Sequence, residues 1–290
     1  MGTARNGEIE IAYEVEGPAD GAPLLLIMGL GLQMLFWPET FRRMLVDRGF
    51  QVARFDNRDV GASTHLNWLG MPSPLVFVTR RWRGYGLADM AEDGVAVLDD
   101  LGWDSAHVVG VSLGGMIAQT LACRHPDRVR SLSSLSSTPA SHIGRPHPRV
   151  LAALATLPAR SREGAARLLT HIFRVIGSPG FPRDEEWIGE VARQSFDRGH
   201  DPDGVRRQFA AIIAGPDRRA LLRRLRMPAL VVHGSADPLV QPAGGRATAR
   251  AIPGAKLIIY PGMGHDLPAA LQPAVADEIA EVSRLWSPAS

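Results

Sequence analysis

The chain is poor in two residue types that often indicate a protein's compartment and partners. Cysteine occurs once, at Cys123, and lysine occurs once, at Lys256, among 290 residues. A single cysteine excludes a disulfide within the chain and is typical of a reducing compartment, so we expect a cytoplasmic location. Cys123 lies on an apolar helical pattern and is predicted to be a buried small hydrophobe.

Long apolar runs are also absent. The longest, residues 23–37, is interrupted by glycine and glutamine and is too short to span a bilayer. The first ten residues lack the basic and apolar regions of a secretion signal. The formal net charge is only +2, and we interpret the arginine clusters at 80–83 and 218–226 as solvated faces, with attraction to an anionic membrane as the alternative. We therefore predict no nucleic-acid partner and no stable membrane insertion.

Motifs for cofactors and metals are missing as well. The sequence contains no Cys/His metal cluster, no dinucleotide-binding fingerprint and no Walker loop. Residues 56–63 (DNRDVGAS) follow a predicted strand, but their spacing fits neither a calcium loop nor a phosphate loop. We interpret them as a buried polar network that fixes loops near the site. The sequence thus predicts a reaction that needs no cofactor and no metal.

The chain does contain an alternation of short apolar runs and helix-length segments, which predicts an α/β fold with a mainly parallel sheet covered by helices on both faces. Residues 9–16 alternate as an antiparallel edge strand would. Buried strands are predicted at 24–27, 52–55, 107–111, 129–135, 229–233 and 256–260, and helices at 38–48, 87–101, 115–124, 242–251 and 268–285.

The alternation stops after Ser136. Residues 139–226 hold several helical patterns rich in alanine, leucine and arginine and no convincing strand. We predict that residues 1–138 and 227–290 form the core domain. Residues 139–226 are predicted to form an inserted helical cap, whose apolar side chains cover the carboxyl edge of the sheet.

A five-residue motif, Gly110-Val111-Ser112-Leu113-Gly114, joins a predicted strand to a predicted helix. A serine at such a turn has a strained backbone, and both glycines are needed because a Cβ at either position would collide with the neighbouring strand or helix. The hydroxyl then stands clear of the sheet at the positive end of the helix. We predict that Ser112 is the catalytic nucleophile.

A serine hydroxyl needs a base, and the base needs an orienting acid. Asp237 follows the predicted strand 229–233, and His265 follows the last predicted strand in a glycine-rich loop. The order serine, acid, histidine along the chain is that of an α/β-hydrolase triad. His65 is the other histidine that could act as the base. Asp266 is interpreted as the N-cap of the terminal helix.

Stabilising the oxyanion requires two backbone N–H groups. They come from the residue after the nucleophile and from the loop after an early strand, which here are Leu113 and Leu30. Gly29 and Gly31 allow that loop to turn its amides inward. We expect both glycines and Trp187 of the cap to border the substrate, which an apolar cap predicts to be hydrophobic.

Four segments of the chain, residues 26–31, 56–61, 110–116 and 262–265, together resemble a known family. The resemblance covers nearly the whole chain and is weakest in the cap. It implies the α/β-hydrolase fold, the triad Ser112, Asp237 and His265, and oxyanion donors at Leu30 and Leu113. Residues 26–31 (LIMGLG), 56–61 (DNRDVG), 110–116 (GVSLGGM) and 262–265 (GMGH) are similar to the α/β-hydrolase superfamily, and specifically to LipG-like carboxylesterases and aclacinomycin methylesterases.

The resulting hypothesis is a serine carboxylesterase that hydrolyses hydrophobic esters through an acyl-enzyme. Ser112 argues against the haloalkane dehalogenases and epoxide hydrolases of this fold, which need a carboxylate at that position. Thioesterase, lactonase, carbon-carbon hydrolase and perhydrolase activities use the same triad and stay open. A ligand receptor without turnover is a more distant alternative. The choice between monomer and homodimer is also open.

Overall fold

One eight-stranded sheet organises the molecule. The computed structural model describes residues 1–154 and 158–287. The strands lie in the order β1-β2-β4-β3-β5-β6-β7-β8; the pairs β1-β2 and β2-β4 are antiparallel and the other five are parallel. All six predicted strands are present, but the expectation that residues 256–260 are buried was wrong: this strand lies at the other edge of the sheet, and none of its residues is fully buried. The strands are β1 Gly2–Asn6, β2 Ile9–Glu16, β3 Ala22–Ile27, β4 Phe50–Phe55, β5 Ala106–Val111, β6 Val129–Leu135, β7 Ala229–Gly234 and β8 Lys256–Tyr260.

The prediction for the sheet edge was wrong in one respect. Strand β2 is antiparallel to its neighbours, as expected, but it does not form the edge because β1 pairs with its outer side. The sequence of β1, GTARN, carries only one fully buried apolar residue, Ala4. A strand with so few apolar residues shows no alternation from which it could be predicted. It forms because β2 offers it backbone hydrogen bonds.

Helices cover both faces of the sheet. Alternate residues of β3 point to opposite sides: Leu25 packs with α3 and α4, whereas Leu24 packs with α1 and α11. The five predicted helices of the core are therefore present, within a few residues of their predicted bounds. The helices are α1 Glu39–Val46, α2 Val76–Thr79, α3 Leu87–Asp100, α4 Leu113–Arg124, α5 Pro148–Leu154, α6 Arg162–Ile176, α7 Glu185–Arg198, α8 Pro202–Ala214, α9 Arg219–Leu222, α10 Ala243–Ala251 and α11 Gln272–Arg284.

Five of these helices, α5 to α9, lie between β6 and β7, and we call residues 139–226 the inserted segment. No strand occurs in its described part, which lacks residues 155–157. Its apolar side chains join both halves of the core: Ala211 and Leu222 pack with the α3 and α4 face, and Val191 packs with the α1 and α11 face. Among the described helices, none combines the length and the apolar character needed to cross a bilayer.

Candidate active site

Ser112 lies at the turn between β5 and α4 with a left-handed backbone, φ +57° and ψ −117°. Few residues other than glycine adopt a positive φ, so the strain expected at this position is present. A Cβ on Gly110 would lie 2.1 Å from the carbonyl oxygen of Gly114, and a Cβ on Gly114 would lie 2.0 Å from that of Ile27. Both glycines are therefore required by the close approach of β3, β5 and α4, as the motif predicts.

Three side chains from distant parts of the chain meet at this turn. His265 Nε2 lies 2.9 Å from Ser112 Oγ, and His265 Nδ1 lies 2.7 Å from Asp237 Oδ2. The other oxygen of Asp237 accepts hydrogen bonds of 2.9 Å from the backbone N–H groups of Leu239 and Val240. The carboxylate is thereby locked in one orientation, with one oxygen left to face the imidazole.

The charges at this site favour an ionised acid. Burial raises the pKa of Asp237, but electrostatic attraction to the adjacent His265 ring and hydrogen bonds from His233 and His265 outweigh it and bring the value from 3.8 down to about 2. A carboxylate at neutral pH keeps the ring proton on Nδ1 of His265, so that Nε2 is free to accept the proton of the Ser112 hydroxyl.

His233 is a member of this site that the sequence did not reveal. It is fully buried at the end of β7, with Nε2 donating to the carbonyl of Val240 at 2.6 Å and lying 3.4 Å from Asp237 Oδ2. Its position inside a strand favoured a structural interpretation. The sequence feature that could have indicated its role is its position four residues before Asp237. The tight turn between the two residues brings their side chains together.

The loop that carries His265 is held by the inserted segment. The backbone N–H of His265 donates to the carbonyl of Ile176 at 2.8 Å, and that of Gly264 donates to Ser178 Oγ at 2.8 Å. The interpretation of Asp266 as a helix N-cap was wrong, because α11 begins at Gln272. Asp266 instead accepts the hydroxyl proton of Ser178. Burial raises the pKa of Asp266, and this hydrogen bond opposes the rise.

The loop after β3 lies against the serine. A Cβ on Gly29 would be 3.3 Å from the Cβ of Ser112, and Gly31 has φ +67°. Within the described part of the chain, neither the N–H of Leu30 nor that of Leu113 donates a hydrogen bond. Both predicted donors are thus unengaged beside Ser112. Leu113 is the first residue of α4, where a helix leaves its N–H groups without intrahelical acceptors.

A buried glutamine braces this loop. The N–H of Gly31 donates to Gln208 Oε1 at 2.9 Å, and Gln208 Nε2 donates to the carbonyl of Arg58 at 2.8 Å. Gln208 belongs to α8 of the inserted segment and is fully buried. From the core side, the Asn57 side chain donates to the carbonyl of Met28 at 2.9 Å. The loop is therefore fixed from both sides.

Residues 56–63 form the polar network that the sequence predicts. Asp56 accepts backbone hydrogen bonds from Met34 at 2.8 Å and from Ala62 at 3.0 Å. Both oxygens of Asp59 accept from Arg207, each at 2.8 Å, and Asp59 and Arg207 are almost completely buried. A bidentate pair of this kind orients the two elements that it joins, here the loop after β4 and α8.

His65, the other histidine that could act as the base, is bound to groups other than Ser112. His65 has both ring nitrogens engaged, at 2.9 Å from Asp201 and 3.0 Å from the carbonyl of Gly61, so it is not available as a base for Ser112. Asp59, His65 and Asp201 are close enough to surround a cation, but Arg207 already forms an ion pair of 2.8 Å with each of the two carboxylates. The donor set therefore fits an ion-pair network better than a metal.

Trp187 is half-buried on α7 in an aromatic cluster. Its ring meets Phe36 edge-on at 6.1 Å, and Phe36 in turn stacks on Phe173 at 6.3 Å. Phe36 comes from the loop after β3, and the other two rings come from the inserted segment. The cluster joins the two parts of the chain through apolar contacts.

Comparison with known proteins gives consistent matches. The family described as alpha/beta hydrolase fold matches residues 22–268. Rhodomycin D methylesterase DnrP of Streptomyces peucetius is 31% identical over 96% of this chain and 96% of that protein. Pimeloyl-[acyl-carrier protein] methyl ester esterase of Chromobacterium violaceum is 32% identical over 55% of this chain and 63% of its own length. The enol-lactonase from Burkholderia xenovorans LB400 shares the fold, with a TM-score of 0.74 and 24% identity over 97% of this chain and 99% of that one.

Proposed function

Since this chain belongs to the α/β-hydrolase fold family, we propose that it is a serine hydrolase that cleaves hydrophobic carboxylic esters through an acyl-enzyme intermediate. The observation that carries this function is the continuous hydrogen-bonded series from Ser112 through His265 to Asp237, with distances of 2.9 and 2.7 Å. A nucleophile, a base and an orienting acid hydrogen-bonded in this order are the arrangement by which a serine triad performs acyl transfer.

The proposed reaction has two halves. His265 Nε2 takes the hydroxyl proton as Ser112 Oγ attacks the ester carbonyl, and the N–H groups of Leu30 and Leu113 stabilise the oxyanion. The intermediate collapses, the carbon-oxygen bond to the alcohol breaks, and His265 protonates the departing alcohol. Water then attacks the acyl-serine with His265 again as base, which releases the carboxylic acid and restores Ser112. Asp237 stabilises the imidazolium in both halves.

The inserted segment is proposed to be a cap that borders the substrate. Three of its features support this role: it braces the loop of Leu30 through Gln208, it holds the loop of His265 through Ile176, and it contributes Trp187 to an aromatic cluster. We propose that Gly29, Gly31 and this cluster contact the substrate. Apolar aromatic walls select hydrophobic groups by size and shape.

A labelling experiment and a substrate panel test the function. A fluorophosphonate probe is expected to modify the protein at Ser112, as located by mass spectrometry after digestion. The panel starts with methyl esters, because two of the relatives are named as methylesterases. It continues with p-nitrophenyl esters, acyl thioesters and lactones. Absence of labelling, or a preference above about a hundredfold for thioesters or lactones, would replace the esterase assignment.

Gln208→Met is expected to lower kcat by roughly ten- to a hundredfold with little change in KM. The methionine side chain has a similar volume but cannot hold the Gly31 N–H, so the Leu30 donor loses its fixed position and the transition state loses more stabilisation than the substrate. Steady-state kinetics on a p-nitrophenyl ester measures the effect.

The matched control is Gln272→Met, a buried glutamine at the start of α11 that accepts a hydrogen bond from Thr40. This control is expected to lower the melting temperature and leave kcat unchanged. Equal kcat values for Gln208→Met and the wild type would contradict the bracing role.

A further inference from the structure

The loop between His65 and α3, residues 66–86, exposes an unusual concentration of apolar side chains, and we call it the 66–86 loop. Four of the large hydrophobic residues that are most exposed within the described residues fall between positions 68 and 78. Val76 of α2 is buried, whereas the residue before it, Leu75, is exposed. The exposed fractions are 67% for Trp68, 59% for Met71, 66% for Leu75 and 83% for Val78.

The charge of this loop has one sign. Residues 66–86 contain no aspartate or glutamate and three arginines, Arg80, Arg81 and Arg83. All three arginines are exposed, and within the described chain none of their side chains is in an ion pair. Exposed apolar side chains and positive charges without ion pairs therefore lie within one loop.

The ends of the loop are anchored, so the patch has a fixed place on the protein. At one end, His65 is bound to Asp201 at the start of α8. At the other end, Tyr85 is buried, and the guanidinium of Arg58 lies over its ring at 5.2 Å. Between them, α2 packs on α8 of the inserted segment. The patch thus projects from the side of the molecule that carries the proposed cap.

We propose that the 66–86 loop is a reversible docking surface for an anionic lipid interface. Single apolar side chains on a projecting loop can enter the headgroup region while arginines remain beside lipid phosphates. Tryptophan is suited to this boundary because its ring is amphipathic. A second copy of this chain fits less well, since a symmetric contact would bring the same unpaired arginines face to face.

For Arg80, Arg81 and Arg83, docking of this kind corresponds to the alternative given in the sequence analysis, attraction to an anionic membrane, and replaces the interpretation of a face that is only solvated. Arg80, Arg81 and Arg83 are exposed, as expected, but no pattern in the sequence predicts that four neighbouring apolar residues are exposed as well. Surface binding needs no spanning helix, so it is consistent with the expectation of no stable insertion. The inference is independent of the proposed function, because docking requires none of the residues assigned to ester hydrolysis.

The test uses co-sedimentation with vesicles. We expect the full-length protein to bind vesicles that contain phosphatidylglycerol, to bind vesicles of phosphatidylcholine alone much less, and to dissociate as salt is raised. Replacing Arg80, Arg81 and Arg83 together by glutamine is expected to weaken binding by roughly a hundredfold, at about fivefold per arginine. The Leu75→Ser, Val78→Ser double variant is expected to lose roughly tenfold or more.

The control variant removes three positive charges from a different part of the protein surface. Arg223, Arg224 and Arg226 form the other exposed arginine cluster, where Leu221, at 43%, is the neighbouring exposed hydrophobic residue. Changing these three to glutamine is expected to preserve most of the binding, and all variants should keep the wild-type melting temperature. The proposal is overturned if the wild type does not bind anionic vesicles, or if both arginine triples lose binding equally. It is also overturned if light scattering shows a dimer that the Leu75→Ser, Val78→Ser variant abolishes.

Discussion

Ser112→Ala is expected to reduce ester turnover by as much as about a million-fold while leaving the fold intact. Without the hydroxyl no acyl-serine can form, and His265 and Asp237 have no nucleophile to activate. Substrate binding should survive, because the side chain that is lost is small and the surrounding loops are held by other contacts. Turnover of a p-nitrophenyl ester and labelling by a fluorophosphonate probe measure the two consequences, and both should disappear together.

Ser133→Ala is the matched control for this variant. Ser133 is a buried serine on β6, the strand next to the one that ends in the nucleophile. Its loss should leave turnover and labelling at wild-type levels. If Ser112→Ala instead kept substantial activity and labelling, a different nucleophile would be at work and the proposed mechanism would fail.

Asp237→Asn is expected to lower kcat by about four orders of magnitude with little effect on KM. An amide at this position can donate to His265 Nδ1, which moves the ring proton to Nε2, the nitrogen that must accept the proton of Ser112. The amide also lacks the negative charge that stabilises the imidazolium. The Leu239 and Val240 N–H groups can still bind the amide oxygen, so the turn itself should persist.

Asp266→Asn provides a discriminating control, because Asp266 is a half-buried aspartate that directly follows His265 in the chain. Its partner is Ser178 and not the imidazole. We expect this variant to lose less than about tenfold in kcat, the effect of a small shift in the loop. If the ranking of the two variants were reversed, the orienting acid would be Asp266 and the proposed triad would need revision.

The features of the site that the sequence predicts are those that depend on residues close together in the chain. The strain at Ser112 and the crowding at Gly110 and Gly114 follow from one short strand-turn-helix sequence, and the structure confirms both. Asp237 and His265 were found because each lies just beyond the end of a strand. Parallel strands bring their carboxyl ends to the same edge of the sheet. Residues that directly follow such strands can therefore be predicted to meet, even when they are far apart in the sequence.

The remaining features depend on long-range contacts that leave no local pattern. Gln208 is one glutamine within an amphipathic helix, and its partner Gly31 is 177 positions away. The contact of Asp266 with Ser178 spans 88 positions and overrides the local preference of aspartate for a helix start. Strand β1 exists because β2 offers it hydrogen bonds, and its own composition does not favour a strand.

The attachment of the inserted segment at Ile176, Ser178, Arg207 and Gln208 has a consequence for how this scaffold can diversify. Exchanging the whole segment for that of a relative would remove supports beneath the loop of Leu30 and the loop of His265 at once, so under the proposed mechanism such chimaeras should be poor catalysts whatever pocket they acquire. New substrate ranges are more accessible through point changes on α7, which carries Trp187 and none of these four attachments.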